Sequence, residues 1–457
     1  MRSLSAHPIR RFVQVEPGEG WTLTLSAALF AWLLGAYYLI QPTREAFGIS
    51  AGPVYEWLWT GTATATLVAT PIYGWAVARF PRNRFAPGLY LGAALALVAF
   101  WFAHGAAEGT VRRSIGYAFY IFVSTLAVFA TTLFWAMMAD GHRPDAARRM
   151  FGVISVGGTL GALGGSALVD ALRDAVTPRD MILLGALGYA SSLLLLVPLL
   201  RRLPSSADQA THHEPPLREA LAGARLFISS PYLRGIGLFL AGQTLAATFL
   251  YIESREFLFH ALPTRDVTEA VAQANTAART AFFARINIAY NAIALVVQLF
   301  FVGRLARWLG LGALLASLPL VNLGGFALLA AGPSLFAYGM FEVLQRGSRF
   351  ALMKPAREML FTVLSRQEKY QAKQFLDTAV YRSTDALWAW LDLALRAALG
   401  PMLLKLAVLV PACAAWAGLA AGLGRSYRRR TTATTPSSAS TQPSPANDAP
   451  ANHRDGA

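Results

Sequence analysis

The chain has 457 residues, of which 55% are hydrophobic and only 14% charged, and its mean hydropathy is +0.42. Soluble proteins carry about a quarter charged residues, so this composition excludes an ordinary soluble domain and points to lipid as the solvent. The net charge of +15 would suit a nucleic-acid partner in a soluble chain, but here the basic residues sit in short breaks between apolar runs, the pattern of membrane orientation.

Residues 1–19 read as a cytoplasmic N-terminal segment. The first apolar run, Trp21 to Ile40, is too long for a signal-peptide core and leads into Gln41-Pro42-Thr43-Arg44-Glu45 instead of a small-residue cleavage site. It is expected to be the first of about twelve transmembrane spans. These are predicted near 20–41, 54–78, 85–104, 113–140, 150–170 and 181–200, then 231–253, 283–302, 309–331, 333–361, 374–398 and 402–423. Each can cross about 30 Å of hydrocarbon. A polar break at 203–217, with Pro204, Pro215 and Pro216, divides them into halves at 20–200 and 231–424. The linker between the halves, 201–230, ends in a stretch from Leu217 to Ser230 that reads as an amphipathic surface helix. Residues 425–457 read as a basic and then disordered tail.

The connections alternate in charge. One side carries Arg2, Arg10 and Arg11, then Arg79, Arg82 and Arg84, then Arg143, Arg148 and Arg149, and continues through Arg201, Arg304, Arg366 and Arg425. On the other side Arg44, Arg173 and Arg179 each have an acidic neighbour. The positive-inside rule makes the first side cytoplasmic and puts both termini there, as expected in a bacterial inner membrane. The single cysteine, Cys413, lies in an apolar run and supports neither a disulfide framework nor a cysteine metal site.

Charges inside the spans are the next signal. Spans three, six and nine have none in their apolar cores, and Lys405 in span twelve is close enough to an end to snorkel. Span ten is different: Glu342, Arg346, Arg349, Met353 and Arg357 advance by four, three, four and four, so they share one helical face. An arginine at membrane depth costs at least a few kcal/mol unless it meets a partner or water. Three on one face therefore imply a polar cavity, or a set of pairs in which Glu342 holds Arg346 and Asp377 holds Arg349. Span eleven adds Lys373, Asp377 and Asp385, which can balance arginines or carry a coupling proton. Span eight offers Asn287, Asn291 and Gln298. Buried amides tie helices together, and Asn291 is also a candidate solute contact.

A short phrase recurs. Span one ends in Arg44-Glu45, span seven in Arg255-Glu256, and span ten carries Arg357-Glu358, while span four ends in Asp140. These are related spans of a three-plus-three repeat. Arg44, Glu45, Arg255 and Glu256 are expected toward the outside, and Asp140 with Arg357 toward the cytoplasm, as two ionic gates. Chance repetition of a common dipeptide is the competing reading. In span five, Gly157, Gly161 and Gly165 form a small-residue face for close helix packing.

The six-plus-six division, and the basic loops Gly74 to Arg84 and Gly303 to Arg307 at matching positions, resemble the major facilitator superfamily. Arg349-Phe-Ala-Leu-Met353-Lys354-Pro355-Ala-Arg357-Glu358-Met359, followed by Glu368-Lys369, Lys373, Asp377 and Tyr381-Arg382, is similar to the bacterial and plastid-type ATP/ADP translocases. Pro17-Gly18-Glu19 and Tyr37-Tyr38 before Pro42-Thr43-Arg44-Glu45 also match that family's bacterial branch. The resemblance implies a twelve-span exchanger of nucleotides with Arg44, Arg357 and Lys373 as solute contacts. The chain departs from the family at Arg44 and Arg357, where lysine is usual, at Lys354, where aspartate is usual, and at Gln41, where a basic residue is usual.

The expectation is an all-α membrane protein that moves an organic anion, with ATP/ADP exchange as the specific candidate. Its partners are the lipid bilayer and that solute, and no nucleic acid. The substrate contacts would be Arg44, Arg346, Arg349, Arg357, Lys373 and Asn291. Gating or coupling would fall to Glu45, Asp140, Arg255, Glu256, Glu342, Asp377 and Asp385. No enzyme activity, cofactor or metal is expected: the seven histidines lie in loops or at span ends, and no Gly-Lys dipeptide exists to form a P-loop. The alternatives are a facilitator of a non-nucleotide solute and a membrane sensor that binds without cycling.

Overall fold

A computed structural model of the chain describes residues 16, 19–50, 55–142, 144–203, 224–300, 302–364, 368, 372, 375, 376 and 380–434. The first half contains α1 (Gly20–Ile49), α2 (Tyr55–Arg79), α3 (Arg82–Ala106), α4 (Gly109–Gly141), α5 (Pro144–Leu172) and α6 (Pro178–Leu200). The second contains α7 (Pro231–Ala261), α8 (Glu269–Phe300) and α9 (Val302–Ala331). In α10 a helix at Leu335–Ser348 passes through a π-helical turn, Arg349–Met353, into Lys354–Leu360. The last two are α11 (Tyr381–Leu404) and α12, which opens with a π-helical turn at Lys405–Leu409 and runs on as Val410–Thr434. No strand occurs among the described residues.

Nine helical segments among the described residues are long and apolar enough to cross a membrane, and the last, Ser383–Thr432, takes in nearly all of α11 and α12. The bundle is inverted relative to a soluble protein. Trp32, Phe102, Leu194, Leu238 and Phe336 are exposed on its outside, as a lipid solvent requires, while each half has its own apolar core. Phe30, Tyr90, Phe119, Phe134 and Tyr189 pack together in the first. Phe239, Leu315, Phe326, Phe341 and Trp416 do so in the second.

The glycine face of α5 lies against α1. A Cβ at Gly157 would meet the Ala27 carbonyl oxygen at 2.6 Å, and Gly161 and Gly165 approach the carbonyls of Ala31 and Gly35 as closely. Without a hydrophobic driving force in lipid, such backbone-to-backbone contact is what holds helices together.

Several expected boundaries move. The first span does not end at 41: α1 continues through Pro42 to Ile49, so Arg44 and Glu45 sit on a helix inside the bundle instead of in an external connection. The basic tail expected from 425 is helical as far as Thr434. Near the end of α11 the chain kinks at Gly400 (φ 73°), a conformation that favours glycine. Lys405 does not snorkel. It is buried and pairs with Glu253 at 3.0 Å, because a carboxylate on α7 is nearer than water. The Leu217 to Ser230 helix falls largely outside the described residues, as does most of the 203–217 break; residues 224–229 are helical.

Candidate central cavity

The two halves meet through α1 with α8, α5 with α8 and α2 with α11. Between them lies a cavity of about 260 Å³. It is lined by Tyr37, Tyr38, Gln41, Arg44 and Glu45 of α1, Trp59 of α2, and Tyr251 and Arg255 of α7. Tyr290 of α8, Glu342, Gln345, Arg346, Arg349 and Phe350 of α10, and Tyr381 and Asp385 of α11 complete it. Four arginines face three carboxylates, so among the described residues the lining carries one net positive charge.

The ionic layer at its base joins the halves. Arg255 is wholly buried. It forms an ion pair with Glu342 and reaches Glu45 Oε2 from Nη2 at 3.1 Å and from Nε at 3.3 Å. Glu45 also pairs with Arg44 and accepts from Tyr251 (2.8 Å) and Gln41 (3.0 Å). Glu342 holds Arg346 at 2.7 Å one turn along α10. The Arg255 guanidinium lies over the Tyr251 ring, 3.8 Å from its centroid, a cation–π contact that adds to the ion pairs. A carboxylate that accepts four side chains in a site closed to solvent has its charge well compensated.

More cross-half contacts continue on the side away from the termini. Arg112 pairs with Glu269 at 2.7 Å, Arg285 with Asp170 at 2.9 Å, and Arg265 donates to the Ser50 carbonyl at 2.7 Å. Nearer the cavity, Asn287 donates to Gln41 at 2.6 Å and Tyr38 meets Tyr290, oxygen to oxygen, at 2.5 Å. The described polar contacts between halves all lie at this level or beyond it, so the bundle is tied shut on that side.

Arg349 is held differently from Arg346. It donates to Tyr381 at 3.0 Å and, with the Gln243 amide oxygen turned toward it, to Gln243 from Nε and Nη2 at 3.0 Å each. Those partners are neutral. Two further donors at the lining, Arg44 Nε and Trp59 Nε1, are buried without a hydrogen-bond partner. Unfilled buried donors are costly, and both belong to residues that line the cavity.

The predicted residues thus divide. Arg44, Glu45, Arg255, Glu342, Arg346, Arg349 and Asp385 converge on the cavity, and Asp385 accepts from Thr248 at 3.1 Å. Asn291 stands behind Tyr290 and donates to the Asn287 carbonyl at 2.8 Å. Glu256 turns away from Glu45 and pairs with Arg396 of α11. Arg357 pairs with Glu358 at 3.2 Å and is not among the lining residues. Arg357 lies beyond the π-helical turn at Arg349–Met353, about three turns along α10 from Arg346, so it sits at a different depth from the cavity. Asp140 is exposed and lies within electrostatic reach of Arg82. Lys373 and Asp377 lie outside the described residues.

What sequence reasoning missed is the aromatic wall of Tyr37, Tyr38, Trp59, Tyr251 and Tyr290. Aromatic residues are common throughout the spans, so no local pattern separates these. The pair Tyr37-Tyr38 next to Gln41 and Arg44 was the available signal, since polar-tipped rings beside an intramembrane cation face a cavity more readily than lipid.

No family model and no curated protein sequence matches the chain. Solved structures do. The chain is similar to a POT family transporter solved with 5-aminolevulinic acid, with a TM-score of 0.57 and 12% identity over 90% of this chain and 96% of that one. It is also similar to the nucleoside transporter NupG, with a TM-score of 0.52 and 15% identity over 90% of this chain and 98% of that one. The chain therefore has the major facilitator fold, two six-helix halves around a central cavity.

Proposed function

We propose that this chain is a secondary transporter, not an enzyme, that carries a small organic anion through the central cavity. The observation that carries the reading is the lining itself. Both halves supply it, Arg44, Arg346 and Arg349 line it, and the Arg44 Nε and Trp59 Nε1 donors have no hydrogen-bond partner among the described residues. Guanidinium groups suit carboxylates and phosphates because they donate in parallel pairs. The tyrosines add flat surfaces on which an aromatic solute stacks. Within the anion class, these rings and the resemblance of 349–382 to ATP/ADP translocases favour a nucleotide. With no P-loop in the sequence, ATP would be cargo and not fuel.

Purified protein in liposomes tests this. Saturable uptake of a labelled anion, accelerated by unlabelled anion on the opposite side, is the expected result in a panel of nucleotides, phosphorylated metabolites, dicarboxylates and neutral sugars. Binding without flux would make the protein a sensor. Uptake of the sugars alone would remove the anion.

The same reading places the arginine-rich connections and both termini in the cytoplasm, supported by the charge asymmetry of the connections. A reporter fused after Arg202 should register the cytoplasm, and a periplasmic signal there would reverse the orientation.

A further inference from the structure

A second buried ionic cluster lies outside the central cavity. It is built from Glu56 of α2, Glu253 and Glu256 of α7, Asp392 and Arg396 of α11, and Lys405 of α12. Arg396 is shared: it donates to Asp392 Oδ2 from Nε at 2.9 Å and from Nη2 at 2.6 Å, and it also pairs with Glu256. Lys405 faces Glu253 at 3.0 Å and donates to the Pro401 carbonyl at 3.1 Å. Glu56, in the other half of the molecule, lies within electrostatic reach of Arg396 and Asp392. Tyr338 of α10 lies within electrostatic reach of Glu253.

The charges do not balance. Glu256 is 43% exposed, but the three remaining carboxylates still outnumber the two cations, and Asp392 is wholly excluded from solvent while Glu56 and Glu253 are nearly so. Asp392 Oδ1 and Glu253 Oε2 have no hydrogen-bond donor. A buried charge without compensation neutralises itself by taking a proton.

We propose that Asp392 and Glu253 form a proton-binding site that is complete only while α2 is packed against α11. The closure is visible in Trp57 of α2, which meets Trp390 of α11 edge to face at 5.5 Å. In this arrangement Glu56 adds its charge to the cluster. A proton from water then binds one carboxylate oxygen and relieves the repulsion among the carboxylates. When α2 leaves α11, Glu56 leaves with it, water reaches Asp392, and the proton returns to solution. By linkage, proton uptake on closure means that acid favours the closed state and alkali the open one. The site needs no knowledge of the solute, and the test uses none.

Spin labels at Glu108→Cys and Ala270→Cys, both exposed and on opposite halves, in a Cys413→Ser background, would report the gap on the side away from the termini. Pulsed EPR distances on full-length protein in liposomes, from about pH 5 to about pH 9, should lengthen as pH rises. Asp392→Asn, which mimics the protonated acid, should keep the short distance throughout. Glu253→Gln should move the midpoint toward alkaline pH and serves alone if Asp392→Asn fails to fold. Distances independent of pH with the cluster intact would overturn the proposal. So would an unchanged pH response in a folded Asp392→Asn or Glu253→Gln protein.

Discussion

Glu45→Gln is expected to destabilise the protein by about 3–5 kcal/mol, the cost of breaking a buried ion pair by removing one partner. Glu45 is 1% exposed. Its carboxylate receives Arg44, Arg255, Tyr251 and Gln41 at once. An amide of the same shape brings an NH₂ into a ring of donors. It also leaves Arg255 and Arg346 sharing Glu342, and Arg44 without its carboxylate. Arg255→Met should cost less, although Arg255 is wholly buried, because Glu45 keeps Arg44 and Glu342 keeps Arg346. The Glu45→Gln/Arg255→Met double variant restores the charge balance and should recover part of the stability lost in Glu45→Gln. Unfolding of detergent-purified protein measures all three against Glu108→Gln, an exposed control. A Glu45→Gln midpoint within error of that control would show that the ionic layer does not hold the halves together.

Arg346→Gln and Arg349→Gln should both weaken anion binding by roughly ten- to a hundred-fold, since a hydrogen bond to a charged group contributes about 1.5–3 kcal/mol. They should differ in stability. Arg346 compensates Glu342, which also holds Arg255, so its loss disturbs the base of the cavity. Arg349 rests on Gln243 and Tyr381, both neutral, and its charge has no such structural duty among the described residues. Arg349→Gln should therefore unfold near the wild-type temperature while losing affinity and flux. Calorimetric binding of the transported anion, with unfolding as the control, separates the two effects. Wild-type affinity in both folded variants would remove these arginines from the solute site.

Much of the architecture was legible because lipid imposes two strong rules. Spans must be long and apolar, and their arginines must find a partner or a cavity. Twelve helices in two halves, the close glycine face of α5, and the convergence of Glu342, Arg346 and Arg349 follow from those rules and from helical spacing. Other features were hidden by local ambiguity. Pro42 looked like the end of a span, yet α1 carries on beyond it. A helix tolerates proline when neighbouring helices pack around it, and a single segment does not reveal its neighbours. The π-helical turn at Arg349–Met353 was equally invisible, and past it ideal 3.6-residue spacing no longer fixes which residues share a face.

By itself, then, the sequence determined the solvent, the long apolar helices and the need of any charge among them for a partner or water, because an uncompensated charge in hydrocarbon is costly wherever in the chain it occurs. Tertiary structure alone decided the pairings. Arg44-Glu45 and Arg255-Glu256 are the same dipeptide at related positions. Glu45 joins the halves through Arg255, whereas Glu256 is claimed by Arg396. An ion pair forms with whichever opposite charge packing brings within about 4 Å, where Coulomb attraction outweighs the alternatives. Those partners lie 210 and 140 residues away along the chain, a distance over which spacing rules carry no information.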